Sequence, residues 1–317
     1  MYYIGIDFGG TNIKIGIADD NGKIIIQDSV KTLSKRHYSE IIKDMGNLCN
    51  DLIKKAGIGH SDINSIGIGS PGSIDSKNGI VKYANNLKWE NVPIVSELKK
   101  YIDLPVYISN DANCAALGEA LFGSGKGMKN IIFLTLGTGV GGGIIIDGKL
   151  FEGGDPAGAE CGHLVIKMGG NKCSCGRRGC LEAYASATAL IKSTKQAMKK
   201  NPDSAMWKYV NGNIKSVDGR TSFECAKKGD ASALKVVDFY ETCLAEGIAS
   251  FINIFRPEAV LIGGGICAQG DYLIKPLQEK VNRLYYGGSI NSPVPIKVAT
   301  LKNDAGILGA VALCMNR

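Results

Sequence analysis

Cys173, Cys175 and Cys180 stand as C-x-C-x-x-x-x-C in the run CSCGRRGCLE, and His163 lies ten residues before the first of them. Three thiolates and one imidazole are a complete tetrahedral zinc set, and closing it obliges the chain between them to wrap round one ion. Gly169, Gly170, Gly176 and Gly179 supply the turns that such wrapping needs. Glu160 precedes His163 by three residues and Glu182 follows Cys180 by two, so the same knot gathers two carboxylates and an imidazole. A four-ligand zinc site is closed to substrate, which makes His163, Cys173, Cys175 and Cys180 a structural metal site.

With 317 residues the chain exceeds the size at which one core usually stops growing, so two domains are expected. No apolar run approaches the roughly 20 residues of a membrane span, and the start MYYIGIDFGG has none of the parts of a signal peptide. A cytoplasmic protein without a membrane partner is expected. Beyond the zinc set, Cys49, Cys114, Cys161, Cys225, Cys243, Cys267 and Cys314 show no pairing rhythm and read as buried thiols of a reducing compartment. The net charge is +7, but the basic residues are dispersed in pairs such as Lys54-Lys55 and Lys199-Lys200. That pattern describes solvated helix faces and not a nucleic-acid surface.

Two segments resemble each other, YYIGIDFGGTNIKIGIADDNGKIIIQ and NIIFLTLGTGVGGGIIIDGKLFEG. In each, an apolar run enters a Gly/Thr turn, a second leaves it, and an Asp/Asn-Gly-Lys turn leads to a third, as in a three-stranded meander. Ile41, Ile42, Met45, Leu48, Leu52 and Ile53 have helical spacing, and further helices are expected at 112–122, 186–200, 231–255, 273–284 and 305–315. Strands are expected at 64–70, 105–109, 259–262 and 296–299, while 75–93, rich in turn formers, reads as an irregular surface connection. Strands alternating with helices in two such units indicate an α/β protein.

Several motifs in this frame carry chemistry. In Asp7-Phe8-Gly9-Gly10-Thr11-Asn12 a strand delivers a carboxylate and then a glycine turn that lets backbone approach an anion, and Thr138-Gly139 sits in the matching turn of the second repeat. Neither turn fits the Walker or the dinucleotide pattern. Asn110-Asp111 follows a strand and opens a helix, where a carboxylate can be a plain cap or, kept anionic by the helix dipole, a base toward a substrate hydroxyl. Gly263-Gly264-Gly265 stands at a strand-to-helix turn, an ordinary tight connection or a place for a nucleotide against bare backbone.

DFGGTN, NDAN at 110–113, LTLGTGVGGG, GAECGH at 158–163, CSCGRRGCLE and LIGGGI at 261–266 follow one another as in the ROK family of repressors, open reading frames and sugar kinases, which the chain resembles over almost its whole length. Within that family it is most similar to the bacterial glucokinases. The resemblance implies an actin-like (ribonuclease H-like) fold of two α/β domains around a central cleft, the smaller formed by 1–117 plus 304–317 and the larger, with the zinc site, by 118–303.

By the same resemblance, Gly9, Gly10, Thr11 and Asn12 with Thr138 and Gly139 hold the phosphates of ATP, Asp7 lies near Mg²⁺, and Gly264 and Gly265 lie under the nucleoside. Asp111 matches the catalytic base. Asn110, Glu160, His163 and Glu182 match the ligands of sugar hydroxyls, joined by Gly72 and Asn86, although Asn85 fits equally by spacing. Cys161 stands where an aliphatic residue is more usual. The chain begins at its first strand, without the helix-turn-helix domain of the repressor members, so no nucleic-acid partner is expected.

The implied activity is ATP-dependent phosphorylation of the 6-hydroxyl of glucose, in a homodimer or homotetramer. Fructose, mannose, allose or N-acetylmannosamine as the hexose, or a sugar-sensing regulator without turnover, are the alternatives. Asp111 and both phosphate turns weigh against the sensor, which has no need of a base. A zinc knuckle for nucleic acid is disfavoured because only Arg177 and Arg178 are basic near the metal ligands.

Overall fold

A computed structural model of the protein describes residues 1–154, 158–288 and 290–316. The chain forms two compact units, one of Met1–Ile131, Gly143–Ala159 and Ala299–Arg317, the other of Ile132–Gly142 and Glu160–Val298.

The first unit opens with the expected meander, β1 (Tyr2–Phe8), β2 (Asn12–Asp19) and β3 (Ile24–Lys31). The β2–β3 turn is fixed by the Asp19 carboxylate, which accepts from the N–H groups of Asn21 and Lys23, both at 2.9 Å. Helix α1 (Tyr38–Ala56) follows, with the His37 ring accepting from the Ser39 N–H at its start and Gly57 in the left-handed region at its end. Its Ile41, Ile42, Met45 and Leu52 are fully buried, as their spacing requires.

β4 (Ile63–Ser70) then pairs parallel to β1. The next stretch is a small antiparallel sheet, β5 (Ser73–Asp75), β6 (Ile80–Ala84) and β7 (Trp89–Val92), where the turn-rich sequence suggests an irregular connection. Its strands are three to five residues long, too short for alternation to stand out. A short helix α2 (Ile94–Leu98) returns the chain to β8 (Val106–Asn110), completing the order β3-β2-β1-β4-β8, and α3 (Asp111–Leu121) leaves directly from β8.

The second sheet has the order β11-β10-β9-β12-β13, from β9 (Ile131–Leu136), β10 (Val140–Ile146), β11 (Lys149–Phe151), β12 (Ala259–Gly263) and β13 (Ile296–Val298). The division between the units falls inside β9 and β10. Between β11 and β12 the second unit carries α4 (Glu182–Ala185), α5 (Ala187–Lys200), α6 (Ala205–Tyr209), α7 (Thr221–Ala226) and α8 (Ala231–Phe255). Buried Tyr240 of α8 donates its hydroxyl to the Ala185 carbonyl at 2.9 Å and so anchors the end of α4. α9 (Asp271–Leu284) precedes β13.

The last helix, α10 (Ala305–Met315), returns to the first unit and lies against β1, β4 and α3. It approaches closely because the facing positions lack side chains. A Cβ at Gly5 would meet the Ile307 carbonyl, one at Gly67 the Ala310 carbonyl, and one at Gly309 the Cys114 carbonyl of α3. Buried Glu119 locks the turns beside this packing, accepting from the N–H groups of Leu301 at 2.7 Å and Ser124 at 2.8 Å.

Candidate active site

In the first unit, the candidate residues gather where the parallel strands β1, β4 and β8 end. Asp7 is in register with Gly69 of β4, and Ser70 with Asn110 of β8, so Asp7 and the Asn110-Asp111 step share the carboxyl edge of one sheet. In open α/β sheets ligands bind at that edge. Burial raises the Asp7 carboxyl above its usual range, against the pull of the Lys14 ammonium at 3.9 Å. The Gly9–Asn12 turn is closed by the Gly9 N–H on the Asn12 carbonyl at 3.0 Å and braced by the Thr32 hydroxyl, which donates to the Gly9 carbonyl at 2.6 Å.

Gly72 and Asn110 meet, the Asn110 amide donating to the Gly72 carbonyl at 3.1 Å. Gly72 has φ +98°, and a Cβ there would strike the Tyr83 carbonyl, so only glycine fits. The other end of the Asn110 side chain caps α3 by accepting from the Ala112 N–H at 2.9 Å. Asp111 is exposed at the first position of that helix. Asn86 lies beside the Gly9–Asn12 turn, its Cβ 3.4 Å from where one would stand on Gly10, whereas Asn85 accepts from the Tyr83 hydroxyl at 3.3 Å.

The structure adds a residue for which the sequence gives no motif signal. Glu152 accepts from the Ser109 hydroxyl at 2.7 Å and from Ser76 at 3.3 Å, which ties the strand leading into Asn110-Asp111 to the segment after β11. Lys14, the counterion of Asp7, is likewise found only through pairing, as it faces Asp7 across the β1–β2 register.

In the second unit, the donor atoms of His163, Cys173, Cys175 and Cys180 all lie within 4.8 Å of one another. The Cys175 and Cys180 sulfurs are 3.7 Å apart, and the Cys173 sulfur is 3.6 Å from His163 Nδ1. Donors about 2.0–2.3 Å from one ion at tetrahedral angles stand about 3.5–3.8 Å from one another, so the set fits zinc. The knot is made locally. Cys173 N–H donates to the Arg177 carbonyl, Gly176 N–H to Cys173, and Ile166 N–H to Gly179. Gly179 has φ +87°, and any Cβ there would strike the Lys167 carbonyl.

Glu182 joins this knot to the Thr138-Gly139 turn. One carboxylate oxygen accepts from the Ser174 hydroxyl at 2.7 Å and the other from the Val140 N–H at 3.2 Å. A Cβ on Gly139 would collide with that carboxylate. Thr138 is held by its carbonyl, which accepts from the Thr188 hydroxyl at 2.7 Å. Gly264, at φ +92°, packs on the Leu136 backbone just before this turn, while Gly265 faces open space. Glu160 is exposed, and its carbonyl accepts from the His163 N–H at 3.0 Å. Zinc knot, Glu182, Thr138-Gly139 and Gly264-Gly265 are therefore one assembly, and Asp7, the Gly9–Asn12 turn, Gly72, Asn86 and Asn110-Asp111 are another.

Residues 3–317 match the model of the ROK family. A glucokinase of Thermotoga maritima is 41% identical over 99% of this chain and 97% of its own. A ROK family glucokinase from Streptomyces griseus, solved in complex with glucose and AMPPNP, superposes with a TM-score of 0.82 at 32% identity, each chain fully covered. A ROK hexokinase from Thermus thermophilus gives 0.84 at 30% identity over 99% of this chain and 97% of the other. The mixed α/β architecture is that of the actin-like ATPases.

Proposed function

The chain belongs to the ROK family, and from that premise we propose that it transfers the γ-phosphoryl group of ATP to the 6-hydroxyl of glucose. The observation that carries the reading is the shared sheet edge of Asp7 and Asn110-Asp111, with the glycine turn beside it. The Streptomyces griseus glucokinase, bound to glucose and an ATP analogue, supports the choice of substrates.

Phosphoryl transfer asks a protein for positioning, charge neutralisation and one base. Asp111 accepts the proton of the sugar 6-hydroxyl as that oxygen attacks the γ-phosphorus. The new O–P bond forms while the bond to the β-phosphate oxygen breaks, and ADP leaves. The Gly9–Asn12 turn and the Thr138-Gly139 turn direct backbone N–H groups at the phosphates. Gly264 and Gly265 accept the nucleoside. Magnesium, when bound, neutralises phosphate charge, and Asp7 is the residue that orients it.

Asn110, Glu160, His163 and Glu182, with the Gly72 carbonyl and Asn86, pair with sugar hydroxyls. A site that satisfies itself through such bonds rejects analogues lacking a hydroxyl, because its own polar groups are then left unpaired. Zinc held by His163, Cys173, Cys175 and Cys180 would fix the His163 ring, whose Nδ1 lies 3.6 Å from the Cys173 sulfur, and so orient it for the sugar. We assign the enzyme to the cytoplasm as a homodimer or homotetramer, with no nucleic-acid or membrane partner. Among the described residues no helix is long and apolar enough to cross a membrane.

A coupled assay of ATP-dependent phosphorylation over a hexose panel tests the reading. Glucose is expected to be phosphorylated with the highest kcat/KM. Sugar binding without turnover on any hexose would replace the kinase by a sensor.

A further inference from the structure

A basic groove lies in the first unit, next to the turn that carries Asn86. Lys35, Arg36 and His37, just before α1, form one wall, and Lys88, Trp89 and Glu90, at the start of β7, form the other. The groove encloses about 410 Å³, room for a hexose phosphate. Three cations face one carboxylate there, although Arg36 also pairs with Asp44 at 2.7 Å. Lys35 and Lys88 are both exposed.

Two further features belong to the chain that forms the groove. The Arg36 Nε is buried without a hydrogen-bond partner, though its Nη2 donates to Asp44 and to the Thr32 carbonyl. A buried donor of that kind is costly unless something completes its surroundings. Lys88, on one wall, also holds left-handed backbone at φ +55° although it is not glycine. Such strain collects where a chain is shaped for binding.

We propose that this groove binds the phosphate dianion of a phosphorylated small molecule, with Lys35, Arg36 and Lys88 as its cations. Lysine and arginine together suit a dianion with several acceptor oxygens. The rings of Tyr38 and Trp89, 6.3 Å apart, give the remainder of the ligand an apolar wall. Lys88 N–H closes a turn on the Asn85 carbonyl at 3.3 Å, and Asn86 in that turn lies against Gly10. Occupancy of the groove therefore acts on the turn that carries Asn86 and shifts the KM for the sugar. This last step rests on the proposed function, whereas the binding itself does not.

The test titrates the full chain with inorganic phosphate and with glucose 6-phosphate, against chloride at matched ionic strength. Calorimetry measures affinity, and Trp89 emission in a Trp207→Phe background localises binding, since the chain has two tryptophans. The expected result is saturable binding of a phosphate species that weakens by about tenfold per lysine in Lys35→Gln/Lys88→Gln, the loss of one charge-assisted bond each. The initial kcat of that variant, read before product accumulates, is unchanged. Stronger binding of glucose 6-phosphate than of inorganic phosphate assigns the ligand as a sugar phosphate; equal binding assigns phosphate itself. Equal affinity in the double variant, or no binding to either probe, overturns the proposal. Binding that survives in a chain with no kinase activity would refute the proposed function and leave the groove standing.

Discussion

Glu182 accepts from the Val140 N–H at 3.2 Å with one carboxylate oxygen while the other takes the Ser174 hydroxyl at 2.7 Å, so a single side chain spans from the His163–Cys180 donor set to the Thr138-Gly139 turn. The Cys173–Cys180 loop and the Thr138-Gly139 turn cannot move independently while this link holds.

Glu182→Ala removes the link and, on the proposed function, one sugar ligand, but leaves the four metal-donor residues intact. The expected outcome is a fall in kcat/KM for glucose of about a hundredfold, consistent with a lost charged hydrogen-bond partner plus misplacement. Zinc content stays at one per chain. Steady-state kinetics with metal analysis on the same preparation checks both.

Cys175→Ser breaks the metal set at its exposed member. Zinc and glucose affinity should be lost together, because His163 is then no longer held. Metal analysis and sugar-binding calorimetry decide it, and normal glucose affinity in zinc-free protein would refute the scaffold role.

The close approach of α10 gives a prediction about stability. Gly67→Ala places a Cβ against the Ala310 carbonyl, which is backbone and cannot step aside. Overpacking of this kind costs about 1–3 kcal/mol or more. Thermal unfolding should show a Tm lowered by several degrees, with the zinc content unchanged.

Glu241 supplies a pH signature. It is 4% exposed on α8, and burial pushes its carboxyl up to about 7, with Lys280 pulling it down and Asp238 pushing it further up. Between the ordinary value of 4.5 and about 7 the folded chain holds a proton that the unfolded chain has lost. Stability therefore falls as pH rises through that window and stays lower above it. Glu241→Gln removes the penalty. The variant should gain on the order of 1 kcal/mol over the parent at pH 8 and little at pH 5, read by denaturant unfolding at both.

Much of this was legible in the residues. The periodicity of Ile41 to Ile53 gives α1 to within a residue or two, and the His163–Cys180 spacing gives a donor set that the fold does bring within 4.8 Å. Local patterns survive folding because they depend on neighbours along the chain. The β5–β7 sheet does not announce itself, since its short strands are built from turn-forming sequence and held by cross-strand pairs such as Val81 with Val92. Glu119 and Glu152 escape notice for a related reason. Each carboxylate has partners far along the chain, Leu301 for Glu119 and Ser76 and Ser109 for Glu152.

Asp111 is the proposed base, and Asp111→Asn keeps the size of the side chain while removing its ability to take a proton. The kcat for ATP-dependent glucose phosphorylation should fall by about 10²–10⁴ while the glucose Kd stays within a few fold. A variant that retains most of its kcat would contradict the assignment.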